Sequence, residues 1–234
     1  MEIVYWSDYA CPYCYIGEAR IKKAISQIEG GGDIKLRMKA FQLDPNAPVH
    51  VNTDTRERYA KKYGMSLEAA ESQIEGISKM GRDMGLDFKY ASTLFTNTMD
   101  AHRITKLAQH TCSYDTTEKL VDALYYAYFT DNVELADKAI LRKIAVDCGL
   151  DEKDVQEVLN SDKYEDEVRA DEYEAAQMGI HGVPFFIIGD AGISGAQSPA
   201  TFKSYIEAAL KEQTAEGAGA EGASCGPDGC RVEY

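Results

Sequence analysis

Two cysteines near the amino terminus, Cys11 and Cys14, flank Pro12 and Tyr13. A short apolar run at residues 3–6 precedes the pair, and apolar residues recur at helical spacing after it. A cysteine at the start of a helix meets unpaired backbone N–H groups and the positive end of the helix dipole, and both stabilise a thiolate. Because the thiolate is the nucleophile in disulfide exchange, this position predicts a redox centre in which Cys11 attacks and Cys14 resolves.

Cysteine pairs with this spacing also bind zinc. A second pair, Cys225 and Cys230, stands near the carboxyl terminus, so a zinc module that joins the four thiols is an alternative. The strand before the first pair and the helix after it favour redox chemistry without a metal. Two further cysteines, Cys112 and Cys148, fall on helical patterns, and we expect them to be buried and inert.

Cys225 and Cys230, called the tail pair below, enclose Gly-Pro-Asp-Gly, a turn-forming sequence that permits a local disulfide. Residues 214–224 before them are rich in Ala and Gly and predict a flexible linker. A flexible linker of that length spans roughly 18 Å, which can bring the tail pair to the first pair of the same chain or of a dimer partner. We expect an auxiliary dithiol; a metal-scavenging or merely solvated tail is the alternative.

The rest of the chain supplies the elements that must position the first cysteine pair. Alternating polar and apolar residues at 34–41 predict a second strand, and strand character returns at residues 185–188. A last helix is predicted to end at about Glu212. Residues 51–179 between these parts carry mainly helical patterns. The order β-α-β, helices, β-β-α predicts an α/β protein with a helical insertion.

The composition of the chain narrows the classes of partner. The chain has 234 residues, 44% of them hydrophobic, and a net charge of −14 at pH 7. This charge makes nucleic acid and anionic membrane surfaces poor partners. No apolar run approaches the roughly 18 residues that cross a bilayer, and the first strand begins almost at Met1, which leaves no room for a signal peptide. The sequence therefore predicts a cytoplasmic protein.

Five short stretches are together far more specific than the cysteine pair alone. They are SDYACPYCYIG at 7–17, FQLDP at 41–45, DAHR at 100–103, GVPFF at 182–186 and SGAQ at 194–197. In this order they resemble the DsbA-like branch of the thioredoxin superfamily, most closely its FrnE-type thiol–disulfide oxidoreductases. The resemblance implies an α/β, thioredoxin-like fold with a large inserted all-helical domain. On that basis we assign residues 1–50 and 180–213 to the thioredoxin-like domain, 51–179 to the insertion and 214–234 to the tail.

The same resemblance assigns roles near the cysteines. Pro184 is implied to be a cis proline that faces the disulfide, which leaves the backbone of Val183 open to a substrate strand. Pro12 and Tyr13 are implied to border the substrate and to tune the thiolate. The best-known strongly oxidising member of the family has His where this chain has Tyr13, so its oxidising strength is not carried over.

Asp8 and His102 are candidates for a second layer around the redox centre. Asp8 precedes the cysteines in a loop, where an aspartate also suits an Asx turn or a helix cap. His102 lies in the DAHR stretch, on a helix that the resemblance places beside the active-site face. A structural histidine is the alternative for this residue.

The leading hypothesis is exchange of thiols and disulfides with protein substrates, without a tightly bound cofactor, by a monomer or homodimer. Glutathione is an alternative redox co-substrate. A second hypothesis is a glutathione-dependent isomerase or transferase, similar to 2-hydroxychromene-2-carboxylate isomerases and kappa-class glutathione transferases. Those enzymes carry a serine at the first active-site position, whereas Cys11 and Cys14 together favour redox chemistry. A third hypothesis is a non-enzymatic holdase.

Overall fold

The computed structural model describes the backbone of residues 1–220 and the side chains of residues 1–213. Within these residues four strands form one sheet in the order β2-β1-β3-β4. The strands are β1 (Glu2–Ser7), β2 (Lys35–Ala40), β3 (Phe185–Ile188) and β4 (Ala191–Ser194). β1 pairs in parallel with β2, and β3 runs antiparallel to both β1 and β4. The sheet thus brings residues 185–194 beside β1, which leads into the amino-terminal cysteines.

Helices fill the chain between and around these strands. They are α1 (Pro12–Ile25), α2 (Thr55–Tyr63), α3 (Leu67–Arg82), α4 (Met99–Thr111), α5 (Tyr114–Phe129), α6 (Lys138–Cys148), α7 (Glu152–Leu159), α8 (Glu165–Gln177) and α9 (Pro199–Ala220). Short 3-10 turns occur at Gly31–Asp33 and Tyr90–Ser92. Side-chain oxygens of Asp or Ser accept the first backbone N–H groups of six helices, as N-cap chemistry predicts; these residues are Asp54, Ser66, Ser113, Asp137, Asp151 and Ser198.

The main apolar core connects the sheet to the inserted helices α2–α7, and a smaller cluster of Trp6, Ala175 and Ile180 lies between the sheet and α8. On α1, the ring of Tyr15 stacks on Tyr125 of α5 at 5.0 Å and on Phe88 at 5.8 Å. The rings of Phe186 and Phe202 meet edge to face on the sheet side of the same core. Since an independent domain has a core of its own, the division into two domains stays a prediction.

A buried ion pair joins α4 to α8, and hydrogen bonds of its aspartate hold α8 against the sheet. The Nζ atom of Lys106 lies 2.5 Å from Oδ2 of Asp171, and both side chains are buried. The same carboxylate accepts the backbone N–H of Ala40 at the end of β2, at 2.8 Å. The indole N–H of Trp6 donates to the backbone oxygen of Asp171 at 2.9 Å.

The last helix differs from the sequence prediction. α9 continues to Ala220, whereas the sequence analysis ends it at about Glu212 and assigns 214–224 to a flexible linker. Alanine is the strongest helix former, and the three alanines among residues 214–220 offset the two glycines there. No helix in the described part of the chain is long and apolar enough to span a bilayer.

Candidate active site

Cys11 occupies the N-cap position of α1. Its backbone is extended, with φ −91° and ψ 115°, and Pro12 takes the first helical position, where a missing N–H costs little. The backbone N–H of Cys11 donates to the carbonyl of Asp8 at 3.0 Å, which closes the loop that leads from β1 into the helix. The first turn of α1 contains no acidic residue. The positive end of the helix therefore acts on the Cys11 thiol without a competing carboxylate on that turn.

Cys14 lies one turn further along and is fully buried, whereas Cys11 retains 4% exposure. Both are free thiols in this structure. Burial raises the pKa of Cys14 well above its usual range, and the neighbouring Cys11 raises it further. Hydrogen bonds from the Ser7 hydroxyl and the Asp8 backbone act in the opposite direction. The two cysteines are thus unequal, since Cys14 is held as a neutral thiol behind the more accessible Cys11.

Val183 and Pro184 lie beside the cysteines, because β3 begins next to the end of β1, where Trp6 pairs with Phe185. The Val183–Pro184 peptide bond is cis, and the Cys11 thiol donates to the Val183 carbonyl oxygen at 3.6 Å. A Cβ atom on Gly17 would lie 3.0 Å from Cγ of Pro184. Glycine at this position of α1 therefore lets the helix pack closely against the proline.

A groove of about 560 Å³ opens beside Cys11. All three residues predicted to contact the substrate line this groove, namely Pro12, Tyr13 and Val183. Tyr13 is 41% exposed, so its ring is available to a ligand. The sequence analysis missed most of the remaining lining, which comprises Ala10, Leu43, Asp44, Arg58, Tyr59, Lys62, Tyr63, Ile77, Tyr90, Phe95 and Gly182. The basic–aromatic repeat at 58–59 and 62–63 was a usable signal, because residues four apart share one face of a helix.

Asp8 and His102 lie behind the cysteine loop and are not part of the groove lining. Oδ1 of Asp8 accepts the backbone N–H of Ala10 at 3.1 Å, and Oδ2 accepts that of Leu43 at 2.7 Å. Nε2 of His102 stands 3.7 Å from Asp8 Oδ1, and its ring packs on Tyr9 at 5.0 Å. Asp8 thus forms an Asx turn that joins two loops, and His102 contributes to the packing beneath them.

The other thiols stand apart from this centre. Cys148 is buried, and burial raises its pKa, whereas Cys112 at the end of α4 is partly exposed and so differs from the expectation of burial. The tail pair, Cys225 and Cys230, lies outside the described residues, and its role as an auxiliary dithiol stays a prediction. Among the described residues, no group of three or more His, Cys, Asp or Glu side chains is arranged to hold a metal ion.

Comparisons with a protein-family model and with solved structures agree on the fold of this chain. The DSBA-like thioredoxin domain family matches residues 2–207. A probable DsbA oxidoreductase from Streptomyces coelicolor is similar at 35% identity and a TM-score of 0.84, over 100% of both chains. A 2-hydroxychromene-2-carboxylate isomerase has a TM-score of 0.68 at 13% identity, over 92% of this chain and 98% of its own. The cytosolic disulfide reductase DsbM from Pseudomonas aeruginosa, in its structure with GSH, has a TM-score of 0.60 at 15% identity. The match covers 90% of this chain and 100% of the reductase chain. The last two likenesses show the fold alone.

Proposed function

Because the chain belongs to the DSBA-like thioredoxin domain family, we propose that it exchanges thiols and disulfides with protein substrates through Cys11 and Cys14. The arrangement of the two thiols supports this proposal most strongly. Cys11 stands at a helix N-terminus on the wall of an open groove, and Cys14 is fully buried one turn behind it. A nucleophile needs access to its substrate, whereas a resolving thiol must stay protonated until the substrate is attached.

In the reducing direction, the Cys11 thiolate attacks one sulfur of a substrate disulfide. The Cys11–substrate S–S bond forms as the substrate S–S bond breaks, and the leaving sulfur takes up a proton. Cys14 then loses its proton and attacks the Cys11 sulfur, which releases the second substrate thiol. The substrate gains two electrons and two protons, and the protein is left with a Cys11–Cys14 disulfide. The oxidising direction is the reverse of these steps.

The backbone of Gly182 and Val183 could bind an extended substrate segment. Gly182 and Val183 line the groove directly beside Cys11. A substrate segment that runs along this backbone would be held by main-chain hydrogen bonds, which place its cystine next to the nucleophile. Tyr13 provides an exposed aromatic surface in the same groove.

Family membership indicates no tightly bound cofactor. We propose glutathione as a redox co-substrate, in keeping with the similar fold of the reductase solved with GSH. A cytoplasmic location and a monomeric or homodimeric state stay predictions of the sequence.

A glutathione-dependent isomerase is the competing proposal, and the shared fold with 2-hydroxychromene-2-carboxylate isomerase is its support. The fold alone does not require a second thiol, whereas disulfide exchange does. The buried Cys14 therefore favours redox chemistry over isomerisation.

Catalysed reduction of insulin disulfides by dithiothreitol tests the proposed function. We expect the wild-type protein to accelerate the reaction, Cys11→Ser to abolish the acceleration, and Cys14→Ser to lose multiple turnover. Cys112→Ser is the matched control, because Cys112 is a partly exposed thiol remote from the groove, and it should retain wild-type activity. Full activity of Cys11→Ser would refute the assignment.

A further inference from the structure

The groove beside Cys11 carries positive charge in a protein whose net charge is −14 at pH 7. Its charged lining residues are Arg58, Lys62 and Asp44. The Oδ1 atom of Asp44 accepts the backbone N–H of Asn46 at 3.0 Å, in a turn of its own loop. Asp44 is exposed and keeps its charge, so Arg58 and Lys62 give this lining a net charge of +1.

Arg58 has hydrogen-bond donors without acceptors. Its guanidinium lies 3.8 Å from the ring centroid of Phe95, and its buried Nε makes no hydrogen bond. Where side chains are described, no carboxylate lies within 4.0 Å of this guanidinium. Arg56 on the same helix, by contrast, pairs with Asp54 and Glu71. A guanidinium presents five N–H donors in a fork that matches a carboxylate, so Arg58 is suited to an anion that arrives with the ligand.

Tyr90 relates this cation to the nucleophile. Burial raises the pKa of Tyr90, the positive charge of Arg58 opposes that rise, and the Cys11 thiol adds to it. Arg58, Tyr90 and Cys11 all line the same groove of about 560 Å³. A ligand that fills this groove meets both the cation and the nucleophile.

We propose that the groove selects disulfides that carry a carboxylate close to the reactive cysteine, and that Arg58 and Lys62 form the subsite for this carboxylate. The inference rests on the proposed disulfide exchange at Cys11. The groove volume of about 560 Å³ suits a ligand of tripeptide size, and the rings of Tyr59 and Tyr63 flank the cations. A glutathione disulfide and an acidic segment of a protein both present this chemistry.

A single-turnover experiment with matched disulfides tests the proposal. Reduced protein is mixed with the symmetrical disulfides of three capped dipeptides, Glu-Cys, Gln-Cys and Lys-Cys, and with glutathione disulfide. Oxidation of the Cys11–Cys14 dithiol is followed by acid quenching, alkylation and mass spectrometry. We expect the wild-type protein to react with the Glu-Cys disulfide about tenfold faster than with the Gln-Cys disulfide, and slowest with the Lys-Cys disulfide.

The readout is the Glu-over-Gln preference, which a uniform loss of activity does not change. Arg58→Gln should reduce this preference by about tenfold, and Arg58→Lys, which keeps the charge but not the fork, should retain part of it. Lys61→Gln is the matched control, because it removes one positive charge from the same helix at an exposed position outside the groove. It should keep the wild-type preference, which separates the subsite from the effect of net charge.

A wild-type protein that reacts equally with the Glu-Cys and Gln-Cys disulfides would overturn the proposal, as would an unchanged preference in Arg58→Gln. If Arg58→Gln slows the reaction with glutathione disulfide more than the reaction with the Glu-Cys disulfide, glutathione is the better-matched source of the carboxylate. The opposite order favours an acidic protein segment. If the wild-type protein reacts with none of the four disulfides, the proposed function itself fails, and this outcome is distinct from a lack of preference.

Discussion

Replacement of Glu18 by Gln should change how the stability of the protein depends on pH. Glu18 lies on α1 and is only 1% exposed, and Lys22 Nζ stands 2.8 Å from its Oε1. The same ammonium also lies 3.2 Å from Glu118 and 2.6 Å from Asp122, so three carboxylates share one cation. Burial raises the pKa of Glu18 from 4.5 to about 7, Lys22 opposes this rise, and the two other carboxylates add to it.

The sign of the effect follows from proton binding. Between pH 4.5 and 7, Glu18 stays protonated in the folded protein but ionises in the unfolded chain. The folded state therefore binds more protons, and its stability falls as the pH rises through this window. At 1.4 kcal/mol per pH unit, the raised pKa corresponds to about 3 kcal/mol lost between pH 4.5 and pH 8. Gln cannot ionise, so Glu18→Gln should match the wild type at pH 4.5 and exceed its stability by about 3 kcal/mol at pH 8.

Urea unfolding followed by the fluorescence of Trp6 measures this difference, because Trp6 is the only tryptophan and is buried. Glu207→Gln on α9 is the control, since Glu207 is exposed and lies 3.7 Å from Lys203 in a surface pair. The control should change stability by about 0.5 kcal/mol or less at either pH. If Glu18→Gln keeps the wild-type pH slope, or is less stable than the wild type at pH 8, the account of this cluster is wrong.

Two further predictions concern packing and buried charge, and urea unfolding measures both. Gly81→Ala should destabilise the protein by about 1–3 kcal/mol, because its Cβ would lie 2.5 Å from Cγ of the buried Phe88 ring. Gly76→Ala, on the same helix with no atom within 4 Å, should be neutral or stabilising by up to about 1 kcal/mol, and equal losses in both variants would contradict the packing argument. Lys106→Met should cost about 3–5 kcal/mol, since it leaves a buried carboxylate without its cation. Lys143→Met, in an exposed pair, should cost about 1 kcal/mol or less, and a similar value for Lys106→Met would refute the buried-pair interpretation.

The strand-to-helix junction that carries Cys11 and Cys14 was predictable because its signals are local, whereas its redox role stays a prediction. The apolar run, Cys11, Pro12 and the helical periodicity occupy one short stretch of sequence, and the structure forms β1 and α1 there. The predicted α/β class with inserted helices is confirmed by the family match and by the similar Streptomyces coelicolor structure.

The remaining features depend on long-range packing. Arg58 of α2 and Tyr90 of the turn at Tyr90–Ser92 line the same groove as Cys11, and no periodicity within either segment predicts that they share it. Glu18 is buried because α5 packs against α1, whereas its sequence context is that of a surface helix position. The glycines after Thr214 indicate an end of α9 near Glu212, whereas the backbone stays helical to Ala220, since alanine is the strongest helix former.

The central claim is that Cys11 is the nucleophile and Cys14 the resolving thiol. Reduced Cys14→Ala protein, mixed with a disulfide substrate, should accumulate a mixed disulfide whose mass exceeds that of the protein by one substrate thiol. Peptide mapping should locate the adduct at Cys11, and Cys11→Ala should form no adduct at Cys14. An adduct at Cys112 or Cys148 instead, or rapid multiple turnover by the Cys14→Ala protein, would contradict the account.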